Sequence, residues 1–144
     1  MLTIRLINNE EIDDALVLVF KVFMDYDSKF YTPEGIEEFY KSINDKEYVN
    51  ALSIYGAFLD DELVGVIATR NNGNHIAMFF VDGNHHKQGI GKQLFKAVQK
   101  DKMTVNSSPY AVDIYQKLGF KPTDTEQIVN GLRFTPMQLQ KIKG

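Results

Sequence analysis

The sequence predicts an α/β fold, a mixed central β-sheet flanked by helices, with residues 1–144 forming one domain. Three observations predict it. Apolar residues recur at strand period in some stretches and at helical period in others. Neighbouring strand-like segments are joined by short polar turns in one part of the chain and through helix-like segments in another. A chain of 144 residues that is 44% hydrophobic can also bury a sizeable core.

Each element follows in turn. Leu2, Ile4 and Leu6 alternate with polar residues, which reads as a short strand. Asn8 or Asn9 caps a helix reaching about Met24, with Glu10, Glu11, Asp13 and Asp14 at its positive end. Pro33 after Thr32 opens a second helix, apolar at Ile36, Phe39, Tyr40 and Ile43, which ends near Asn44. Ile54–Leu59 and Leu63–Thr69 flank Asp60, Asp61 and Glu62 as a hairpin, and Asn71, Asn72 and Gly73 make the next turn. Ile76–Val81 is a continuous apolar run, as expected of a strand covered on both faces. A helix from about Gly89 to Lys102, a strand over Met103–Val105 and a helix from Pro109 to about Leu118 follow, with Gly119 as its left-handed cap. Phe120 leads into one strand and Gly131–Leu139 into the last.

Composition narrows the function. No cysteine means no disulfide, no thiolate metal site and no cysteine nucleophile, which points to a reducing, cytoplasmic location. The apolar stretches are too short to span a bilayer and no secretory leader is evident. A net charge of -3 argues against sequence-independent nucleic-acid binding. The charge is uneven, however. Residues 1–72 carry 14 acidic and 6 basic side chains, and residues 73–144 carry 5 acidic and 10 basic. Two walls of one cleft or a merely solvated surface would both produce this pattern.

The stretch Val81-Asp82-Gly83-Asn84-His85-His86-Lys87-Gln88-Gly89-Ile90-Gly91-Lys92 joins the buried strand to a helix. Glycines there let the backbone approach a ligand, and the first helical N–H groups lack partners inside the helix. A phosphate or pyrophosphate suits them, although a plain tight turn would look the same. The dinucleotide fingerprint fails at Leu94, and the P-loop pattern fails at His86. A nucleotide is a further ligand that such a turn could hold.

His86-Lys87-Gln88-Gly89-Ile90-Gly91, with Asn106, Tyr115 and Leu118-Gly119-Phe120 downstream, resembles the signature of the GCN5-related N-acetyltransferase (GNAT) family. Both glycines match, while His86 stands where the family has Gln or Arg. The order of elements matches over almost the whole chain. The resemblance implies a GNAT-like sheet with splayed strands holding acetyl-coenzyme A, and transfer of acetyl to a primary amine by direct attack in a ternary complex. The competing function is a non-catalytic acyl-coenzyme A-binding regulatory module.

It also implies roles for residues. Backbone groups of Phe79, Phe80 and Val81 pair with the pantetheine arm. Amides of His86, Lys87, Gln88, Gly89, Ile90, Gly91 and Lys92 hold the pyrophosphate. Asn106 and Ser108 bind the cofactor arm, with helix capping before Pro109 as the alternative. Tyr115 is the general acid that protonates the leaving thiolate; periodicity alone makes it a core residue beside Ala111, Ile114 and Leu118. His75 is the candidate base, with an ordinary strand-end histidine or a water relay as alternatives. No metal is expected, since adjacent His85 and His86 point apart.

The acceptor, a small-molecule or peptide amine, is expected to meet the first two helices. Phe30 and Tyr31 are the substrate-binding candidates, with Tyr26, Phe39 and Tyr40 nearby and Asp25, Asp27 and Glu34 attracting a cation. The same aromatics would also serve to pack helices onto the sheet. Family members are often dimers, so the resemblance leaves a homodimer open.

Overall fold

The structure, a computed structural model, describes residues 1–86 and 88–140. Its strands in chain order are β1 (Leu2–Leu6), β2 (Ser53–Leu59), β3 (Glu62–Arg70), β4 (His75–Val81), β5 (Lys102–Ser107), β6 (Lys121–Pro122), β7 (Gln127–Val129) and β8 (Leu132–Gln140). The α-helices are α1 (Ile12–Val22), α2 (Pro33–Ile43), α3 (Lys46–Asn50), α4 (Ile90–Val98) and α5 (Val112–Lys117). The sheet runs β1-β2-β3-β4-β5-β8-β6, and β7 pairs with β8 as a hairpin. Every pairing is antiparallel except β4 with β5, which are joined through α4.

Helices cover both faces. On one, Ile90, Leu94 and Phe95 of α4 and Tyr115 of α5 pack with Val64, Ile67, Ile76, Met103, Val105 and Met137. On the other, Ala15, Leu18, Val19 and Val22 of α1 pack with Val66, Ala68 and Met78. The strand sealed on both sides is β3, buried from Val64 to Thr69. β4, expected to be the covered strand, is partly exposed over Phe79, Phe80 and Val81, because its edge opens onto a cavity.

Local chemistry sets the element ends. Asn8 accepts from the Glu11 N–H while Glu11 accepts from the Asn8 N–H, a capping box that starts the first helical segment. α1 does not simply stop near Met24. After Val22 it widens into a π turn over Phe23–Asp27, with the Ser28 N–H reaching Phe23 O. α3, which the sequence reading lacks, is capped by Asp45 and is too short to show a period. α4 ends at Val98, earlier than Lys102, because the ladder of β5 with β8 begins at Lys102 paired with Gln140. Gly119, at φ 104°, closes α5 as expected: its N–H bonds Gln116 O and that of Phe120 bonds Tyr115 O. The β7–β8 hairpin, also unforeseen, turns on Asn130 and Gly131, both at positive φ. Among the described residues no helix is long and apolar enough to cross a membrane.

Candidate active site

The parallel pairing of β4 with β5 covers only His75 with Thr104 and Ile76 with Val105. Beyond it, β5 continues against β8 to Ser107 while β4 runs to Val81 without β5, so the two strands part. The parting begins at a bulge: Thr69 faces Ile76 and Ala68 faces Met78, which leaves Ala77 as the extra residue. Past the bulge the ladder with β3 alternates. The Asp82 N–H bonds Val64 O, which makes Gly65 and Val81 a non-hydrogen-bonded pair. By that alternation the peptide groups of Phe79 and Val81 face the gap, and those of Phe80 face β3. Of the three residues expected to offer main chain to a cofactor arm, Phe80 is therefore corrected to a ladder partner of β3 whose ring meets Phe39.

The turn after β4 supplies the second part. Gly89 caps α4 at φ 79°, and a side chain placed there would meet nothing within 4 Å. The first amide of α4 satisfied from within is Gln93 N–H, bonded to Gly89 O, so Ile90, Gly91 and Lys92 present amides without intrahelical acceptors. The Ile90 side chain is core, leaving only its backbone for a ligand. Gln88 and Lys92 are exposed, and Lys87 lies outside the described residues. Nε2 of His86 bonds Val81 O at 2.8 Å, and its ring packs 4.9 Å from Tyr26, so this side chain ties the turn to the strand end. His85 Nδ1 lies 3.4 Å from Gln88 Oε1. Among the described residues no cluster of three or more His, Asp or Glu groups could hold a metal. An open strand edge leading to uncapped helix amides fits a cofactor with an amide-rich arm and a pyrophosphate.

A cavity of about 780 Å³ runs along this gap and onto the α1–α2 side of the sheet. Phe23 and Phe39 stack at 3.9 Å, and Tyr31 stacks on Phe23 at 5.3 Å, forming one aromatic wall. Into it the π turn brings Asp27, only 4% exposed, whose Oδ1 accepts from the Ser108 hydroxyl at 2.8 Å. Burial raises the Asp27 carboxyl to about 6, partly opposed by that hydrogen bond. Tyr115 lines the cavity from α5, 5% exposed, with its ring 5.5 Å from Phe120 and 6.1 Å from Phe79. Burial and then the charge of Asp27 push its phenol above the ordinary range, and Tyr31 is raised by the same causes. Tyr115 is thus both core residue and cavity wall.

The remaining candidates separate. Asn106 lines the cavity from β5, while Ser108 makes no cap bond and serves Asp27 instead. His75 lines the cavity with Nδ1 2.7 Å from Thr104 Oγ1, and burial and Arg70 hold its pKa below the ordinary histidine value. Tyr31 is in the wall and donates to Arg133 O. Phe30 is not among the cavity-lining residues; its carbonyl accepts from Arg133 and its ring lies 5.4 Å from Lys29 Nζ. Tyr26 and Tyr40 are likewise outside the lining, and Asp25 and Glu34 are exposed. Of the 14 acidic residues before position 73, Asp27 and Glu38 line the cavity. The sequence reading missed Ala77, whose bulge has no compositional mark, and the inward turn of Asp27, which needs a π turn that helical periodicity does not encode.

The model of the acetyltransferase (GNAT) domain matches residues 28–141. Among solved structures, a GCN5-related N-acetyltransferase from Rhodopseudomonas palustris superposes with a TM-score of 0.82 at 19% identity, covering 96% of this chain and 94% of its own. The PaiA N-acetyltransferase from Thermoplasma acidophilum, in complex with coenzyme A, gives 0.76 at 20% identity, with 97% and 99% covered. An aminoglycoside 6'-N-acetyltransferase complexed with coenzyme A gives 0.66 at 16%, with 99% and 98% covered. No curated protein matches the sequence. The likeness to these structures is one of fold, and the domain model supplies the family: the chain belongs to the GNAT acetyltransferases and is an acetyl-coenzyme A-dependent acetyltransferase.

Proposed function

We propose that the protein transfers acetyl from acetyl-coenzyme A to a primary amine by direct attack within a ternary complex. The observation that carries this reading is the buried pair of unlike acids, the Asp27 carboxyl and the Tyr115 phenol, in one cavity at the parting of β4 and β5. Bound acetyl-coenzyme A would supply an activated thioester. The Phe79 peptide groups and the Val81 N–H at the open edge, with Val81 O already bonded to His86, and the amides of Ile90, Gly91 and Lys92 would hold its arm and pyrophosphate, with Asn106 beside them. Past the bulge, the Phe79 N–H is turned away from β3 into the gap, where the thioester carbonyl oxygen would gain charge.

An amine attacks only when neutral, and the aromatic wall of Phe23, Tyr31 and Phe39 excludes water from it. Asp27, with a pKa of about 6, is ionised at neutral pH and takes one proton from the incoming ammonium. We prefer Asp27 to His75 for this step, because burial and the Arg70 charge both disfavour a protonated imidazole. Tyr115 then gives its proton to the departing sulfur and regains one from the nitrogen of the new amide. Neutralising Asp27 removes part of what raises the phenol, so the first transfer eases the second. Asp27 finally releases its proton to solvent, and the sum is one amide, one thiol and one proton.

The test measures free thiol released from acetyl-coenzyme A with a panel of primary amines, beside equilibrium binding of coenzyme A. Release that depends on an amine supports transfer. Coenzyme A binding with no amine-dependent release from any member would instead establish a binding module.

A further inference from the structure

We infer that the acceptor amine also carries a carboxylate, bound by Arg70 at the end of the cavity farthest from the α4 turn. The inference rests on the transfer reading above for where the amine goes, and on different residues for the carboxylate. Arg70 ends β3 opposite His75, the first residue of β4, and lines the cavity. Its Nε is enclosed and has no hydrogen-bond partner among the described residues. No ion pair to Arg70 occurs there either. Glu38 of α2 lines the same cavity but is not within ion-pair distance. The groups that do face Arg70 cannot neutralise it: the Tyr48 ring lies 6.0 Å from its guanidinium carbon, and His75 beside it is at most a second positive charge.

A guanidinium that lines a cavity without a counter-ion is costly, and since Nε is closed off, a carboxylate entering the cavity would meet the terminal Nη groups and offset that cost. The amides suited to a pyrophosphate lie past Val81, six residues and about 20 Å along β4, and Arg133 of the same lining is paired with Glu126. The bulge at Ala77 is only two residues from His75, about 7 Å. An amine at the parting of the strands and a carboxylate at Arg70 are therefore several bonds apart, with an apolar linker against the Phe23, Tyr31 and Phe39 wall. An ω-amino acid, or a small compound of that pattern, has this shape.

The probes are 5-aminopentanoate and its amide, which differ only in the charge offered to Arg70. The native protein should use the carboxylate at least tenfold more efficiently in kcat/KM, and Arg70→Gln should bring the two within about twofold while leaving coenzyme A affinity unchanged. Arg70→Lys, which keeps the charge without the fork, should fall between. Equal use of both probes by the native protein, or the same preference in Arg70→Gln, overturns the inference. Equilibrium binding of 5-acetamidopentanoate against 5-acetamidopentanamide needs no turnover. A carboxylate preference there with no transfer to any amine would overturn the catalytic reading and keep the subsite; no preference there removes the subsite even if transfer occurs.

Discussion

The hydroxyl of Ser108 donates to Oδ1 of Asp27 at 2.8 Å, joining the segment after β5 to the π turn that extends α1. One residue comes from each side of the parted strands, so the bond spans the place where thioester and amine would meet. It partly opposes the effect of burial on this carboxyl, which is almost wholly enclosed.

Asp27→Asn should slow amine-dependent thiol release by about two orders of magnitude, the usual scale of a lost proton acceptor, with little change in coenzyme A affinity. In the native protein kcat should rise with pH through about 6, as the carboxyl ionises, and the variant should lack this limb. Stability should move the other way. The folded carboxyl binds its proton more tightly than the unfolded one, so native stability falls as pH rises from near 4 to about 6 and is level above it. The cost is on the order of 2–3 kcal/mol for a group this buried. Asp27→Asn is then expected to melt higher than the native protein at pH 8 but not at pH 4, which thermal scans at the two pH values would show.

Ser108→Ala tests the partner. The hydrogen bond favours the ionised carboxylate, so its loss should move the rising limb of the pH profile to higher pH and lower the rate at pH 6 more than at pH 8. A serine held by a buried carboxylate is also the layout of a nucleophile with its base. Direct transfer requires that Ser108→Ala retain substantial activity at pH 8 and that initial-rate plots for the two substrates intersect. Parallel lines with a dead variant would assign an acyl-serine instead.

Tyr115→Phe should keep fold and coenzyme A affinity while lowering kcat by roughly 10²-fold. The phenol hydroxyl makes no hydrogen bond among the described residues, and the ring would keep its contacts with Phe79 and Phe120, so no structural loss is expected. Leaving groups more acidic than a simple thiol should narrow the difference, because they need less help from a proton donor.

The features legible in the sequence were those with a local cause. Gly119 marks a helix end by its conformation, Gly89 and Gly91 mark a turn that a ligand approaches, and the apolar run before them marks a strand. The parting of β4 from β5 was expected only through family resemblance, since nothing in Met103–Val105 says how many residues pair. Phe79, Phe80 and Val81 read as one patch, whereas pairing sends alternate peptides to opposite edges. Asp25, Asp27 and Glu34 read as three equivalent acids, and only the π turn separates the buried one from two on the surface. Arg70 follows an apolar run and precedes two asparagines, so its position in the cavity depends wholly on long-range packing.

Gly35 of α2 tests how the acceptor side is held in place. A Cβ there would run into Gly131 O, at the tip of the β7–β8 hairpin, so helix and hairpin touch backbone to backbone. Neither backbone can yield alone: Gly35 is within the first turn of α2, fixed by its N–H to Thr32 Oγ1, and Gly131 holds φ 81° in a two-residue turn. Gly35→Ala must therefore push the hairpin outward, costing about 1–3 kcal/mol as overpacking does, which urea unfolding would measure. Val129, Asn130 and Leu132 of that hairpin line the cavity, whereas the α4 turn lies on the other side of the gap. The same substitution should accordingly raise KM for the amine several-fold and leave the Kd for coenzyme A unaltered. Equal damage to both constants would mean that the hairpin supports the whole sheet rather than the acceptor wall alone.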